Sequence, residues 1–186
     1  MILALAGRRI DAMDAKPPRF PLQNVDRVRE AVHRLLVQEG ATAVVSSAAC
    51  GADLIALVEA GKLGLRRRVV LPFTREKFRE SSVVDRPGEW GGLYDAVLNE
   101  VDAMGDLVLV GGLDKADAHT TASRLILGQA IALGQERREA VGAVMIWDGA
   151  SRGTKDYTAE FGGEARKRGL PVFEIVTVLG CPREVM

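Results

Sequence analysis

The residues Ser46, Ser47, Ala48, Ala49, Cys50, Gly51, Ala52 and Asp53 join the apolar stretch 42–45 to an apolar-periodic stretch over 54–63, and the chemistry they suit is anion binding. A buried strand that turns through small residues into a helix leaves the first helical N–H groups unpaired, with the positive end of the helix dipole behind them. Side chains this small let ligand oxygens approach the backbone, so a phosphate fits. The N–H groups of Ala49 to Gly51 are the expected cradle. Ser46 and Ser47 offer hydroxyls to a ligand or to the turn, and no base is spaced to activate them as nucleophiles. A thiol at a helix N-terminus can become nucleophilic, but small size alone suits Cys50 to a tight turn, and that is its reading here. Asp53 falls in the first helical turn, where a carboxylate caps the helix or meets a ribose hydroxyl.

Three further stretches follow apolar runs in the same way. Gly7, Arg8 and Arg9 follow the run 2–6, and a planar guanidinium there clamps phosphate or carboxylate, or else pairs with Asp11 or Asp14. Gly111 and Gly112 follow 106–110. Asp148, Gly149, Arg152, Gly153 and Thr154 follow 141–147, with Thr154 as the expected N-cap of a second anion-facing helix. Trp147, Phe73 and Trp90 are candidates to stack on a base. Were the ligand cleaved at a glycosidic bond, Asp11, Glu89 or Asp148 would be the carboxylate that stabilises or attacks the ribosyl cation. Cys50, Cys181, His33 and His119 are too scattered for a metal site, so neither a metal nor a cofactor is expected.

The elements that must position these residues alternate in period. Apolar runs of strand length at 2–6, 42–45, 67–71, 106–110, 141–147 and 170–176 alternate with helical patterns at 25–36, 53–63, 90–104, 118–133 and 154–168. The segment 74–90 is charged and weakly patterned, with a short helix near 75–80, and reads as a flap or a partner-binding surface. Residues 177–186 read as a tail. The economical architecture is one α/β domain over 1–186, an open, mostly parallel sheet with helices on both faces. In such a sheet the four stretches converge on the edge formed by the strands' carboxyl ends, where ligands bind.

Composition narrows the partner. With 25 Lys plus Arg against 25 Asp plus Glu, no long-range field favours nucleic acid or an anionic membrane. Two cysteines make no disulfide framework, and the absence of a signal-like start leads to the expectation of a reducing cytoplasm. The apolar helical stretch 125–133 could pair across a two-fold axis as a homodimer.

The succession Ala6-Gly7-Arg8-Arg9-Ile10-Asp11, Ser47-Ala48-Ala49-Cys50-Gly51-Ala52-Asp53-Leu54, Val69-Val70-Leu71-Pro72-Phe73, and Trp147-Asp148-Gly149 with Gly153-Thr154 resembles the SLOG superfamily. That group includes the LOG proteins, often labelled lysine decarboxylase-like, and the DprA/Smf DNA-processing proteins. The resemblance implies a Rossmann-like fold and the binding or sensing of a nucleotide or nucleotide-derived phosphate ligand. LOG enzymes hydrolyse the N-glycosidic bond of nucleoside monophosphates through a Pro-Gly-Gly-x-Gly-Thr-x-x-Glu motif, which this chain lacks. Gly153-Thr154 matches its Gly-Thr, and Tyr157 stands at the glutamate position. A phosphoribohydrolase or deoxyribosyltransferase-like activity is the alternative that the resemblance raises.

Overall fold

The structure is a computed structural model that describes residues 1–110, 115–154 and 156–178, with backbone alone at 115–119. In chain order its elements are β1 (Ile2–Gly7), α1 (Val25–Gln38), β2 (Ala43–Ser46), α2 (Ala52–Lys62), β3 (Arg66–Leu71), α3 (Arg75–Ser82), α4 (Trp90–Ala103), β4 (Leu107–Leu109), α5 (Lys115–Arg137), β5 (Val141–Trp147), α6 (Tyr157–Lys167) and β6 (Val172–Val176). The strands form one six-stranded sheet ordered β4-β3-β2-β1-β5-β6, with all five pairings parallel.

Helices cover both faces. On β1, Leu3 and Leu5 pack with Val28, Val32 and Leu36 of α1, Leu54 and Leu57 of α2 and Val97 of α4. Ile2 and Ala4 point the other way, into Ile126, Leu127, Ala130 and Leu133 of α5 and Phe161 of α6. Burial on both sides is why β1 is a continuous apolar run instead of an alternating one. The same docking places the apolar stretch 125–133 against the sheet. Helix α2 is buried nearly all round because α1 and α4 flank it as well as the sheet.

Three local expectations change. The last helix begins at Tyr157 instead of 154, with Asp156 as its N-cap, because Gly153 turns the chain at φ 83° and the Asp156 carboxylate accepts the Ala159 N–H. Segment 74–90 is built into the body: Thr74 caps α3, Phe78 and Ser82 are buried, and Val83 and Trp90 join the core. Thr177, counted with the tail by its sequence position, is buried and bonds to the carbonyls of Trp147 and Arg19. Residues 179–186 and Gly111-Gly112 lie outside the described residues.

Two glycines set how closely α2 approaches β1. A Cβ on Gly7 would overlap the Ala52 Cβ and lie 2.7 Å from the Ile146 carbonyl oxygen. Gly51 has φ 93°, and a Cβ there would lie 2.9 Å from both the Arg8 oxygen and the Ile10 nitrogen. Gly7→Ala should therefore cost about 1–3 kcal/mol or more in urea denaturation, since backbone and a short side chain cannot yield. Gly92→Ala and Gly163→Ala, at helical sites with open space, should be neutral or gain a few tenths of a kcal/mol. Equal stability of Gly7→Ala and wild type would refute the close approach.

Candidate functional site

Beyond β1 the chain order reverses: β2, β3 and β4 lie to one side and β5 and β6 to the other. Crevices open at such switch points, outside the carboxyl ends of the strands. Here a cavity of about 550 Å³ lies over the ends of β1, β2 and β3, a volume that suits a nucleotide-sized ligand. Its walls are the exit of β1 from Ala6 to Ala12, Ser47, Ala49 and Asp53 at the start of α2, Phe78 and Ser82 of α3, Ile126 of α5, and Arg152 and Tyr157.

Arg8 anchors this edge. Its Nε donates to Asp148 Oδ1 at 2.7 Å, Nη1 to Asp156 Oδ1 at 2.5 Å, and Nη2 to Asp156 Oδ2 and the Ala150 carbonyl at 2.8 Å each. The guanidinium is 3% exposed and Asp156 is fully buried, so the pair is a dry ion cluster and not the rim contact with Asp11 or Asp14 that the sequence allows. Asp148 also accepts from Arg19 at 2.7 Å through its other oxygen. Burial opposes ionisation of Asp156, but Arg8 and the N–H groups of Arg152 and Ala159 outweigh it and hold the carboxyl well below the usual range. Sequence reasoning missed Asp156. The available signal was an Asp immediately before a periodic helical stretch, the usual N-cap pattern.

The start of α2 differs from the expected bare cradle. The Ala49 N–H points to Asp53 Oδ2 at 3.4 Å, the Cys50 N–H donates to the Ser82 carbonyl at 3.0 Å, and the Ala52 N–H donates to the Arg8 carbonyl at 3.1 Å. Asp53 thus ties the turn from inside instead of capping the helix; Ser47 Oγ donates to its Oδ2 as well. Burial pushes the Asp53 carboxyl up to about 6, against the pull of the Ser47 and Ser46 hydroxyls and the Ala49 and Gly7 N–H groups. Ser46 Oγ is turned inward, donating to the Leu5 carbonyl.

Around this turn the lining is basic. Arg8, Arg9, Lys16, Arg19, Arg86 and Arg152 stand against only Asp11 and Asp53 in the wall. Arg9 and Arg86 share Asp85, Arg9 through Oδ1 and Arg86 with its Nε 3.5 Å from Oδ2. Burial lowers the Arg152 pKa, and repulsion from Arg8 and Arg19 adds to it against the pull of Asp148 and of Asp156, which lies 3.8 Å away. Cys50 is buried beside Arg9; burial pushes its thiol up more than the guanidinium pulls it down, so it remains a thiol near neutrality.

The other expected residues scatter. Asp11 lines the cavity, but its Oδ2 accepts the Arg19 and Phe20 N–H groups at 2.9 Å. Glu89 is exposed at the start of α4, outside the lining. Asp148 lies behind the wall, and Gly149, Gly153 and Thr154 sit on an exposed loop. Trp147, Phe73 and Trp90 are not in the wall: Trp90 is buried with its N–H on the Pro87 carbonyl, Trp147 lies under the Arg8 guanidinium, and Phe73 under Lys77. Phe78 and Tyr157 are the aromatic residues of the lining.

Sheet, switch point and edge cavity place the protein in the class of α/β proteins with a Rossmann-like open parallel sheet. No family model matches the chain, and no curated protein matches it. Among solved structures it is similar to the X-ray structure of DNA processing protein A (DprA) from Streptococcus pneumoniae, with a TM-score of 0.44 and 15% sequence identity, over 94% of this chain and 58% of that one. The chain thus spans well under two thirds of that protein's length.

Two stability measurements check this geometry. Arg8→Ala removes the bidentate partner of buried Asp156 and leaves Asp148 with Arg19 alone, and should cost about 3–5 kcal/mol in urea at pH 7; a loss below about 1 kcal/mol would contradict the cluster. Asp156 and Asp53 have opposite pH signatures. Asp156, depressed, contributes stability that is present above the ordinary carboxylate pKa and lost as pH falls. Asp53, raised, contributes stability that is present at low pH and lost as pH rises through about 6. Asp53→Asn should accordingly raise the melting temperature more at pH 8 than at pH 5, and an equal effect at both would overturn the assignment.

Proposed function

We propose that this chain binds a small anionic ligand of the nucleotide or nucleotide-derived class in the cavity at the carboxyl edge of the sheet. The observation that carries the reading is that one cavity of nucleotide size has six basic and two acidic residues in its wall, on a chain whose charges cancel overall. Counting Asp85, Asp148 and Asp156, which pair with the arginines of the wall, six basic residues face five carboxylates, a surplus of one positive charge. Tyr157, half-buried in the wall, supplies the aromatic surface that a base would use. The SLOG-like motifs of the sequence agree with this reading, and Gly7 and Gly51 of those motifs act by bringing α2 onto the exit of β1.

Binding is favoured over glycosidic hydrolysis because two of the three carboxylates expected to attack are engaged in the fold and the third, Glu89, lies outside the cavity wall. No helix among the described residues is long and apolar enough to cross a membrane. Calorimetric titration with AMP, ADP-ribose and cyclic nucleotides at low salt should yield at least one binder, with affinity falling as salt screens the guanidiniums. Arg152→Glu, at a half-exposed site, should weaken that binder about 10-fold or more while leaving the melting temperature within a degree or two. Failure of every nucleotide to bind, or indifference to Arg152→Glu, would refute the proposal; release of free base on incubation would favour the hydrolytic reading instead.

A further inference from the structure

Between β1 and α1 the chain makes a loop whose ends are fixed and whose middle is not. At its neck the Asp11 N–H donates to the Phe20 carbonyl at 3.0 Å, and Asp11 Oδ2 accepts the Arg19 and Phe20 N–H groups at 2.9 Å each. Phe20 is fully buried, the Arg19 guanidinium reaches Asp148, and the Arg19 carbonyl accepts from Thr177. Residues 12–18 have nothing comparable. Among the described residues their one hydrogen bond is internal, from the Ala15 N–H to the Ala12 carbonyl at 3.1 Å, and none of their side chains makes a hydrogen bond or an ion pair. Met13 at the tip is 91% exposed. Joined ends around a middle with no hydrogen bond to the body describe an Ω-type loop, whose opening and closing breaks few contacts.

This segment also belongs to the cavity wall, through Ala12, Ala15, Lys16 and Pro17. Lys16 differs from the other cations there. Arg8, Arg9, Arg19, Arg86 and Arg152 each lie within 4 Å of a carboxylate of Asp85, Asp148 or Asp156, whereas Lys16 has no such partner among the described residues. Five arginines are matched in number by the five carboxylates at the wall, and the charge left over is that of Lys16, on the one stretch the fold leaves untied. Asp14, the other charge of the loop, is exposed and does not line the cavity.

We propose that residues 12–18 are a strap that closes over the filled cavity, hinged at the Asp11–Phe20 neck, and that Lys16 is the cation it carries onto the ligand's anionic group. This rests on the anion-binding reading and adds closure to it. Without ligand the strap stands open and the Lys16 ammonium has only water; an anion in the cavity supplies its partner. Ordering the strap costs conformational entropy, which the Lys16 contact offsets, so the strap is ordered only when the site is filled. A ligand then leaves only when the strap reopens, and closure acts mainly on dissociation.

The test follows amide hydrogen exchange in the full chain with and without saturating AMP, or whichever of ADP-ribose and the cyclic nucleotides binds best, on wild type, Lys16→Ala and Lys16→Arg. Without ligand the N–H groups of Ala12, Met13, Asp14 and Lys16, which have no acceptor, should exchange within about 10-fold of the rate of an unstructured chain, with those of Arg19 and Phe20 far slower. Bound nucleotide should slow the first four by about 10-fold or more. Lys16→Ala should weaken binding about 3- to 10-fold through faster dissociation, remove most of that added protection and leave the melting temperature unchanged, and Lys16→Arg should restore both binding and protection. A bound nucleotide that leaves exchange at 12–16 unchanged overturns the strap while the anion-binding reading stands, and so does strong protection of those amides without ligand. Added protection that survives intact in Lys16→Ala overturns the part given to Lys16. Failure of every nucleotide to bind overturns both readings.

Discussion

Arg8 leaves the end of β1 and, instead of reaching into solvent, closes a buried cluster with Asp148 and Asp156, residues about 140 positions further along the chain. Charges this dry are stable only when each has its partner in good geometry. The cluster therefore fixes several things at once: the exit of β1, the loop after β5 and the N-cap of α6, where the same Asp156 carboxylate serves Arg8 and the first helical turn. Arg19 joins through Asp148, which brings the loop before α1 across the edge, and Thr177 holds that loop by its carbonyl. One side of the cavity is thus framed by segments from both halves of the sheet, tied by a single guanidinium.

The opposite side depends on proximity more than on charge. Without side chains at Gly7 and Gly51, α2 can rest on the backbone of residues 8–10 and donate the Ala52 N–H to Arg8. That contact uses up a main-chain donor of the α2 N-terminus, and Ser82 of α3 takes another. With those donors engaged, the polar groups that line the cavity at this turn belong mainly to side chains. The basic side chains stand around the rim, while the carboxylate of Asp53 remains at the base of the turn.

Much of this was legible from residue patterns. The apolar runs located all six strands within a residue or two, and the spacing of Val28, Val32 and Leu36 marked the buried stripe of α1. Gly7, Gly51 and Asp53 were picked out by position, because a glycine after a buried strand has few other uses. What pattern could not supply was pairing at long range. Nothing near Arg8 in sequence points to Asp156, and Thr154 is as good an N-cap by type as the aspartate two residues later. The partners of the Cys50 and Ala52 amides belong to other segments, so a turn that reads as an open cradle is partly filled by its own fold. The charged segment 74–90 was read as a flap because its three anchors, Phe78, Val83 and Trp90, are too widely spaced to give a period.

The central claim is that the cavity at the strand carboxyl ends holds a nucleotide-like anion. Its most direct test is an amide chemical-shift map of the isotope-labelled protein as AMP is added at low salt. The account predicts saturable shifts concentrated in residues 7–12, 47–53, 82–86 and 152–158. Shifts that fail to saturate, or that gather on α1 and β6 away from that edge, would contradict it.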